Sequence, residues 1–443
     1  MLFPQFLACV GTVSVVCTRE PAVPDVRMTK IRRVCYNGQH NTFTDLIRFR
    51  FILSPTRRES VVQLPNTHFD VIIRAGRIVC PGSGIDGPGH VAVRGDRIVA
   101  VEQSNTPKVD PATASRYFDF PDGIVLPGLI DLHAHPANSG SVFGISPDDH
   151  IVPYGTTTVL SQGDAGASTV DQYVDDTISA SKTRVLLAIN LSRIGESTSH
   201  GCFENLDDAD VDACTLAIDR YREFIPAVAV NVSHHACGDT DPREVMCRGV
   251  EVAERAELPI LFGMRRPEDW PLEQQLNLLR SGDIVTYCFR SQPHCIIQGG
   301  QVLPSIRDAR SRGILFDVGH ATEAFSFDVA QAAIDDGFLP DTISTDVQHL
   351  HIDQATRHDL PLVMSELRAA GMPENKVFAA VTSTPARLLK LDDSGVLRAN
   401  AAADLTVLQD SHGGQFGDVN GQSCVGTLWT STLVVRRGHV IRA

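Results

Sequence analysis

His133 and His135 stand one residue apart at the end of an apolar run, IVLPGLIDLHAHP, residues 124–136. In a β-strand, residues i and i+2 project from the same face, so both imidazoles can reach one divalent cation. Two histidines alone make an incomplete site. A catalytic zinc ion takes three protein ligands and keeps a position for water or substrate. The rest of the sequence therefore has to supply at least one more ligand and a scaffold that brings it to the pair.

The scaffold is legible in the alternation of apolar runs and amphipathic stretches. RVLLAINLS, AVAVNVS, LPILFGM, DIVTYCF, GILFDVGH and DTISTDV have the continuous apolar character of strands buried on both faces. Stretches such as DPREVMCRGVEVAERAE and PEDWPLEQQLNLLRS lie between them with helical spacing. Strand and helix repeated about eight times predict an α/β fold, a (β/α)8 TIM-type barrel. No glycine-rich dinucleotide fingerprint and no P-loop occurs, which removes the open-sheet nucleotide-binding alternative. Polar residues gather at the predicted strand C-termini, where a barrel carries its chemistry: His133, Asn231, Tyr287, His320 and Asp346.

FDVIIRAGRIV (69–79) and GHVAVRGDRIVAVEQ (89–103) alternate apolar and polar residues between glycine turns. ADLTVLQ (403–409) and TLWTSTLVVRRGHVIRA (427–443) do the same at the other end. The expected organisation is an extension over 1–67, a small β-sandwich domain built from 68–123 and 396–443, and the barrel over 124–395. The apolar start, MLFPQFLACVGTVSVVC, has no basic residue before it and is too short for a membrane span. It is expected to belong to an extension of a cytoplasmic protein, the alternative being an export signal.

A formal net charge of −14 argues against nucleic acid or anionic membrane as a partner. Hydrophobic content of 43% with 6% aromatics suits an aliphatic α/β core. Eleven cysteines without a CxxC pair predict free thiols rather than a zinc knuckle, and Cys288 and Cys295 are expected to pack. The partner class is a small-molecule substrate, with homo-oligomerisation left open.

LPGLIDLHAHP preceded by a β-rich flank resembles the amidohydrolase superfamily of metal-dependent hydrolases. SGDIVTYCF, RSRGILFDVGHATEAFSFDVAQAAIDDGFLPDTISTDV and VTSTPARLL resemble its dihydroorotase-like deacetylase branch in particular. The likeness spans roughly residues 68–443, with several motifs in the same order. It implies one metal site on the histidine pair and a last-strand aspartate, here His133, His135 and Asp346. It also implies a second site made by a carboxylated lysine from strand four and histidines from strands five and six. Those positions hold Asn231, Gly263 and Tyr287. An amide cannot take up CO2 to form a bridging carbamate, glycine has no side chain, and a phenol with a pKa near 10 is an uncommon ligand. One divalent cation, zinc, is therefore expected, and the second site is expected to be lost.

The expected activity is hydrolysis of an amide or ester bond in a small acylated molecule, with Asp346 as general base. Tyr287 or His320 would hydrogen-bond the scissile carbonyl, and Asn231 and Arg290 would contact substrate. His234 or His235 is a candidate additional ligand, and His349 and His351 lie just past Asp346. Asp164 in SQGDAG is expected to cap a loop. The rival readings are an inactive small-molecule-binding relative and a one-metal isomerase or lyase on the same barrel. Metal content discriminates the first rival, and the products formed discriminate the second.

Overall fold

A computed structural model of the chain describes residues 68–104, 110–291, 294–352, 354 and 357–443. The expected extension over 1–67, and with it the export-signal alternative, lies outside the described residues. No helix among the described residues is long and apolar enough to cross a membrane.

Strands β1 (Phe69–Cys80), β2 (Ile85–Arg94), β3 (Arg97–Gln103) and β4 (Ala114–Pro127) come first in the chain. The barrel strands β5 (Leu129–Ala134), β6 (Thr156–Gln162), β7 (Arg184–Asn190), β8 (Ala227–Asn231), β9 (Ile260–Gly263) and β10 (Ile284–Val285) follow. A short hairpin, β11 (Ile297–Gln298) and β12 (Gln301–Val302), precedes β13 (Leu315–Phe316). The chain ends in β14 (Leu405–Gly417), β15 (Ser423–Arg436) and β16 (His439–Arg442).

Both flanks enter one seven-stranded sheet in the order β16-β15-β14-β4-β1-β2-β3. Its pairings are antiparallel except β1 with β4. The alternation in the sequence becomes a buried face of Val71, Ile73, Val91, Val93, Leu405, Val407, Leu433 and Val435. Only Gly128 separates β4 from β5. A Cβ there would lie 2.2 Å from the Thr157 hydroxyl oxygen, so the close approach requires glycine.

The second seven-stranded sheet runs β5-β6-β7-β8-β9-β10-β13, parallel throughout. Residues 342–347 complete it as an eighth segment. On one side they accept from Val318 (N to Thr342 O, 3.2 Å) and His320 (N to Ser344 O, 3.0 Å). On the other, Asp346 N donates to His133 O at 2.7 Å and His135 N donates to Val347 O at 3.0 Å. The parallel α/β barrel is the architecture the sequence predicts, and the two flanks come together in a small β-domain as expected, built on one mostly antiparallel sheet.

Period-two alternation sorts the strand residues into two cores. Val159, Leu187, Val228, Val230, Ile260 and Phe262 face the helical layer. Leu160, Leu186, Ala188, Ala227, Ala229, Leu261 and Ile284 form a separate interior cluster. The helix Pro242–Ala256 shows how the outer layer is fixed. Asp241 caps it by accepting from Arg243 N, Pro242 opens it, and Val245, Met246, Gly249, Val252, Ala253 and Ala256 make one buried stripe.

Candidate metal centre and active-site cavity

The interior rows determine what reaches the open end of the barrel. Continuing by two from Leu160, Ala188, Ala229 and Leu261 gives Gln162, Asn190, Asn231 and Gly263 at the C-terminal ends of β6, β7, β8 and β9. β5 departs from strict alternation, because its register against β6 shifts between Asp131 and Ala134. Leu132 thus belongs to the interior cluster while His133 and His135 both reach the cavity end. The buried Asp131 carboxylate secures this irregularity. It accepts from His133 N (3.2 Å), Thr345 N (3.1 Å) and Thr345 Oγ1 (2.6 Å), joining the first and last barrel segments.

His133, His135 and Asp346 converge, with their potential ligand atoms all within 4.8 Å of one another. Asp346 Oδ1 lies 3.3 Å from His133 Nε2 and 3.2 Å from His135 Nε2. The other nitrogen of each ring is committed elsewhere. His133 Nδ1 is 2.8 Å from Thr286 Oγ1, and that hydroxyl donates to Asp317 Oδ2 at 2.9 Å. His135 Nδ1 is 3.0 Å from Asp164 Oδ1, and Asp164 also accepts from Ser141 and Ser161, each at 2.6 Å. These acceptors assign the Nδ1–H tautomer to both rings and leave both Nε2 atoms to face a common point.

The cluster demands positive charge. Burial opposes charging of His135, but Asp164 and Asp346 more than offset it and hold its pKa well above the ordinary histidine value. Burial likewise opposes ionisation of Asp346, yet His133 and His135 keep its carboxyl well below the usual range. Asp346 Oδ1 is buried without a hydrogen bond. Two imidazoles and a carboxylate oxygen so arranged fit a divalent cation, and the donor set is one zinc accepts.

Tyr287 stands beside this group. Its hydroxyl donates to Asp346 Oδ2 at 3.2 Å and lies 3.5 Å from His133 Nε2. Burial and the neighbouring Asp346 carboxylate raise the phenol's pKa well above 10, so it remains a neutral donor. Tyr287 and Asp346 both have left-handed backbone, at φ 64° and 52°. Such conformations are sparsely populated for residues other than glycine and persist where the surroundings impose them.

A cavity of about 270 Å3 opens next to the cluster, with His135, Tyr287 and Asp346 in its wall. Asn231 and His235 also line it. Asn231 Oδ1 accepts from Ser233 N at 3.0 Å, and its side chain fills the space above Gly263. A larger cleft of about 890 Å3, lined by Lys182, Arg184 and Arg437 among others, lies where β7 begins, away from the metal ligands.

Several expectations need correction. His320 does not line the cavity. It shares the parity of Phe316 and Val318, which face the helices, and its Nε2 lies 2.8 Å from Glu366 Oε2 on the helix Leu360–Ala369. Its ring stacks on Phe325 with centroids 4.5 Å apart. Arg290 follows the Tyr287 turn, donating its N–H to Tyr287 O at 3.2 Å, and is not part of the cavity wall. His234 turns outward to Asp269, 2.5 Å away, while His235 meets Phe143 at the rim. Neither belongs to the metal-ligand group. Asp164 does more than cap a loop, since it orients His135. Cys288 is buried and Cys295 half-buried, both as free thiols.

Gln162, Asn190, Glu196, Glu323 and Gln348 are polar cavity residues that the sequence reading did not single out. Gln162 was accessible by counting two from Leu160. Glu196 sits on a loop after β7, fixed by backbone bonds from its N–H to Asp164 O and from Val142 N to its carbonyl. Burial pushes its carboxyl up to about 7, with Asp164 and Asp346 adding to the shift and His135 opposing it.

No family model matches the chain. It is 30% identical over 326 residues to a deacetylase of Agrobacterium fabrum, covering 73% of this chain and 77% of that protein. It is 32% identical over 286 residues to a deacetylase of Brucella anthropi, covering 64% of this chain and 70% of the other. Among solved structures, a dihydroorotase superposes with a TM-score of 0.74 at 26% identity, covering 84% of this chain and 99% of that one. An adenine deaminase superposes with a TM-score of 0.75 at 23% identity over the same shares, which supports the fold. The chain belongs to the amidohydrolase superfamily of metal-dependent hydrolases, in the branch that includes these deacetylases. It is an amidohydrolase-type enzyme.

Proposed function

We propose that this enzyme hydrolyses an amide or ester bond in a small acylated molecule, using one zinc ion held by His133, His135 and Asp346. The observation that carries the reading is the buried, unbonded Asp346 Oδ1 set 3.2–3.3 Å from two Nε2 atoms whose rings are oriented from behind. The kinship with deacetylases favours an acyl group as the part released.

When bound, the cation supplies Lewis acidity, lowering the pKa of water and polarising a carbonyl. Asp346 accepts the proton of the attacking water and passes it to the departing nitrogen or oxygen. Its Oδ2, held by the Tyr287 hydroxyl, is the oxygen suited to that transfer. Tyr287 can turn the same O–H to the carbonyl oxygen as negative charge grows there, acting as an oxyanion donor. Phe143 and Leu350 contribute an apolar part of the cavity wall.

A single-cation centre is supported by what replaces the second. The Asn231 side chain occupies the space above Gly263, and the Tyr287 phenol stays protonated. Neither change supplies an anionic bridging ligand.

The test is release of carboxylic acid from a panel of small N-acyl and O-acyl compounds by the zinc-loaded full-length protein. The proposal predicts turnover of at least one compound class, lost in His133→Ala. Failure of the loaded protein to hydrolyse any amide or ester overturns it.

A further inference from the structure

Gln162 closes β6 with its side chain pointing into the active-site cavity at only 5% exposure. Neither its Oε1 nor its Nε2 makes a hydrogen bond. A buried amide left unpaired on both atoms is destabilising, and native proteins satisfy nearly all such groups. The neighbouring carboxamides are differently placed. Asn190 donates to Gly163 O at 3.1 Å and accepts from Ser192 N at 2.9 Å, and Asn231 accepts from Ser233 N. Gln162 alone among the three has both polar atoms uncommitted.

The remaining wall limits what can pair with it. Glu196, Glu323 and Asp346 line the cavity together with His135 and His235, and among the described residues no Lys or Arg contributes to the wall. Away from the proposed metal position, an anionic group at the Gln162 end would meet carboxyl groups with no Lys or Arg among the described lining residues to balance them. A primary amide pairs fully with a group that offers a donor and an acceptor side by side. A primary carboxamide does this. A secondary amide in its ordinary trans form points its N–H and C=O in opposite directions, and a carboxylate has no donor. At about 270 Å3 the cavity suits a small molecule.

We propose that Gln162 is a substrate-binding, specificity-determining residue that reads an uncharged primary carboxamide on the substrate, at a position separate from the bond that is broken. The proposal rests on the hydrolase reading for the word substrate, but the binding it describes is a property of the cavity itself.

The experiment uses three probes that differ at one end only: N-acetylglycinamide, N-acetylglycine and N-acetylglycine N-methylamide. Their binding to metal-free full-length protein is measured by ligand-observed NMR, and zinc uptake is measured separately. The carboxamide is expected to bind at least about tenfold tighter than either other probe, the preference of a site built to hydrogen-bond its ligand. Gln162→Met is expected to erase that preference while zinc uptake stays unchanged. Should Gln162→Met not fold, Gln162→Glu has nearly the same volume, loses the N–H donor when ionised, and is expected to lower the preference as well. Equal binding of all three probes by the unaltered protein, tighter binding of the carboxylate, or a preference that survives both substitutions overturns the proposal. A failure of the zinc-hydrolase reading would appear in metal uptake and turnover, leaving this binding comparison readable.

Discussion

His135 Nδ1 lies 3.0 Å from Oδ1 of Asp164, a carboxylate that also accepts hydrogen bonds from Ser141 and Ser161. The bond sets the tautomer and direction, from behind, of a ring proposed to ligate the metal. Outer partners of this kind contribute about 10–100-fold to metal affinity. Asp164→Asn is therefore expected to weaken zinc binding by about that factor in competition with a chromophoric chelator. Unchanged affinity would mean that barrel packing alone orients His135.

Tyr287 donates to Asp346 at 3.2 Å and is kept neutral by burial and by that carboxylate. Tyr287→Phe keeps the ring and removes the donor, so kcat is expected to fall by about 10²–10³ with zinc content unchanged. Loss of the metal would instead identify the tyrosine as a ligand, and full activity would reduce it to a space-filling role.

A Cβ on Gly263 would lie 2.8 Å from both Cγ and Oδ1 of Asn231. Gly263→Ala is expected to destabilise the metal-free protein by about 1–3 kcal/mol in denaturant titrations, as overpacking does. Combined with Asn231→Ala, the cost should be smaller than the sum of the two, because the clash is shared. Asn231→Ala by itself should leave zinc uptake intact. Strict additivity would contradict the shared packing of Asn231 against Gly263.

Glu196 gives the pH dependence a sign. Burial first, then Asp164 and Asp346, raise its carboxyl from 4.5 to about 7 against the pull of His135. The folded protein thus holds this proton more tightly than the unfolded chain. Its contribution to stability is full below about pH 4.5 and is lost as pH rises through about 7. Glu196→Gln should flatten the decline of Tm between pH 5 and pH 8 in the metal-free protein. Parallel Tm profiles for the two proteins would show that Glu196 is solvated like an ordinary surface carboxylate.

The barrel was legible because buried parallel strands need continuous apolar runs, and RVLLAIN and AVAVN supply them. His133 and His135 were legible from their spacing, although the register shift after Asp131 that lets them follow Leu132 inward was not. His320 shares the parity of Phe316 and Val318 and pairs with Glu366 on the helical side, a partner that the strand motif FDVGH does not reveal. The role of Asp164 was hidden for a different reason. It depends on a contact with His135 that only the adjacency of β5 and β6 creates. Glu196 belongs to the same class, since its loop is placed by backbone bonds to Asp164 and Val142.

The proposed hydrolysis depends on one cation per chain held by His133, His135 and Asp346. Elemental analysis of the full-length protein, reconstituted with excess zinc and then freed of loosely bound metal, tests it most directly. The account predicts one zinc per chain, and none in either His133→Ala or Asp346→Ala. Two per chain, or none after reconstitution, would contradict it.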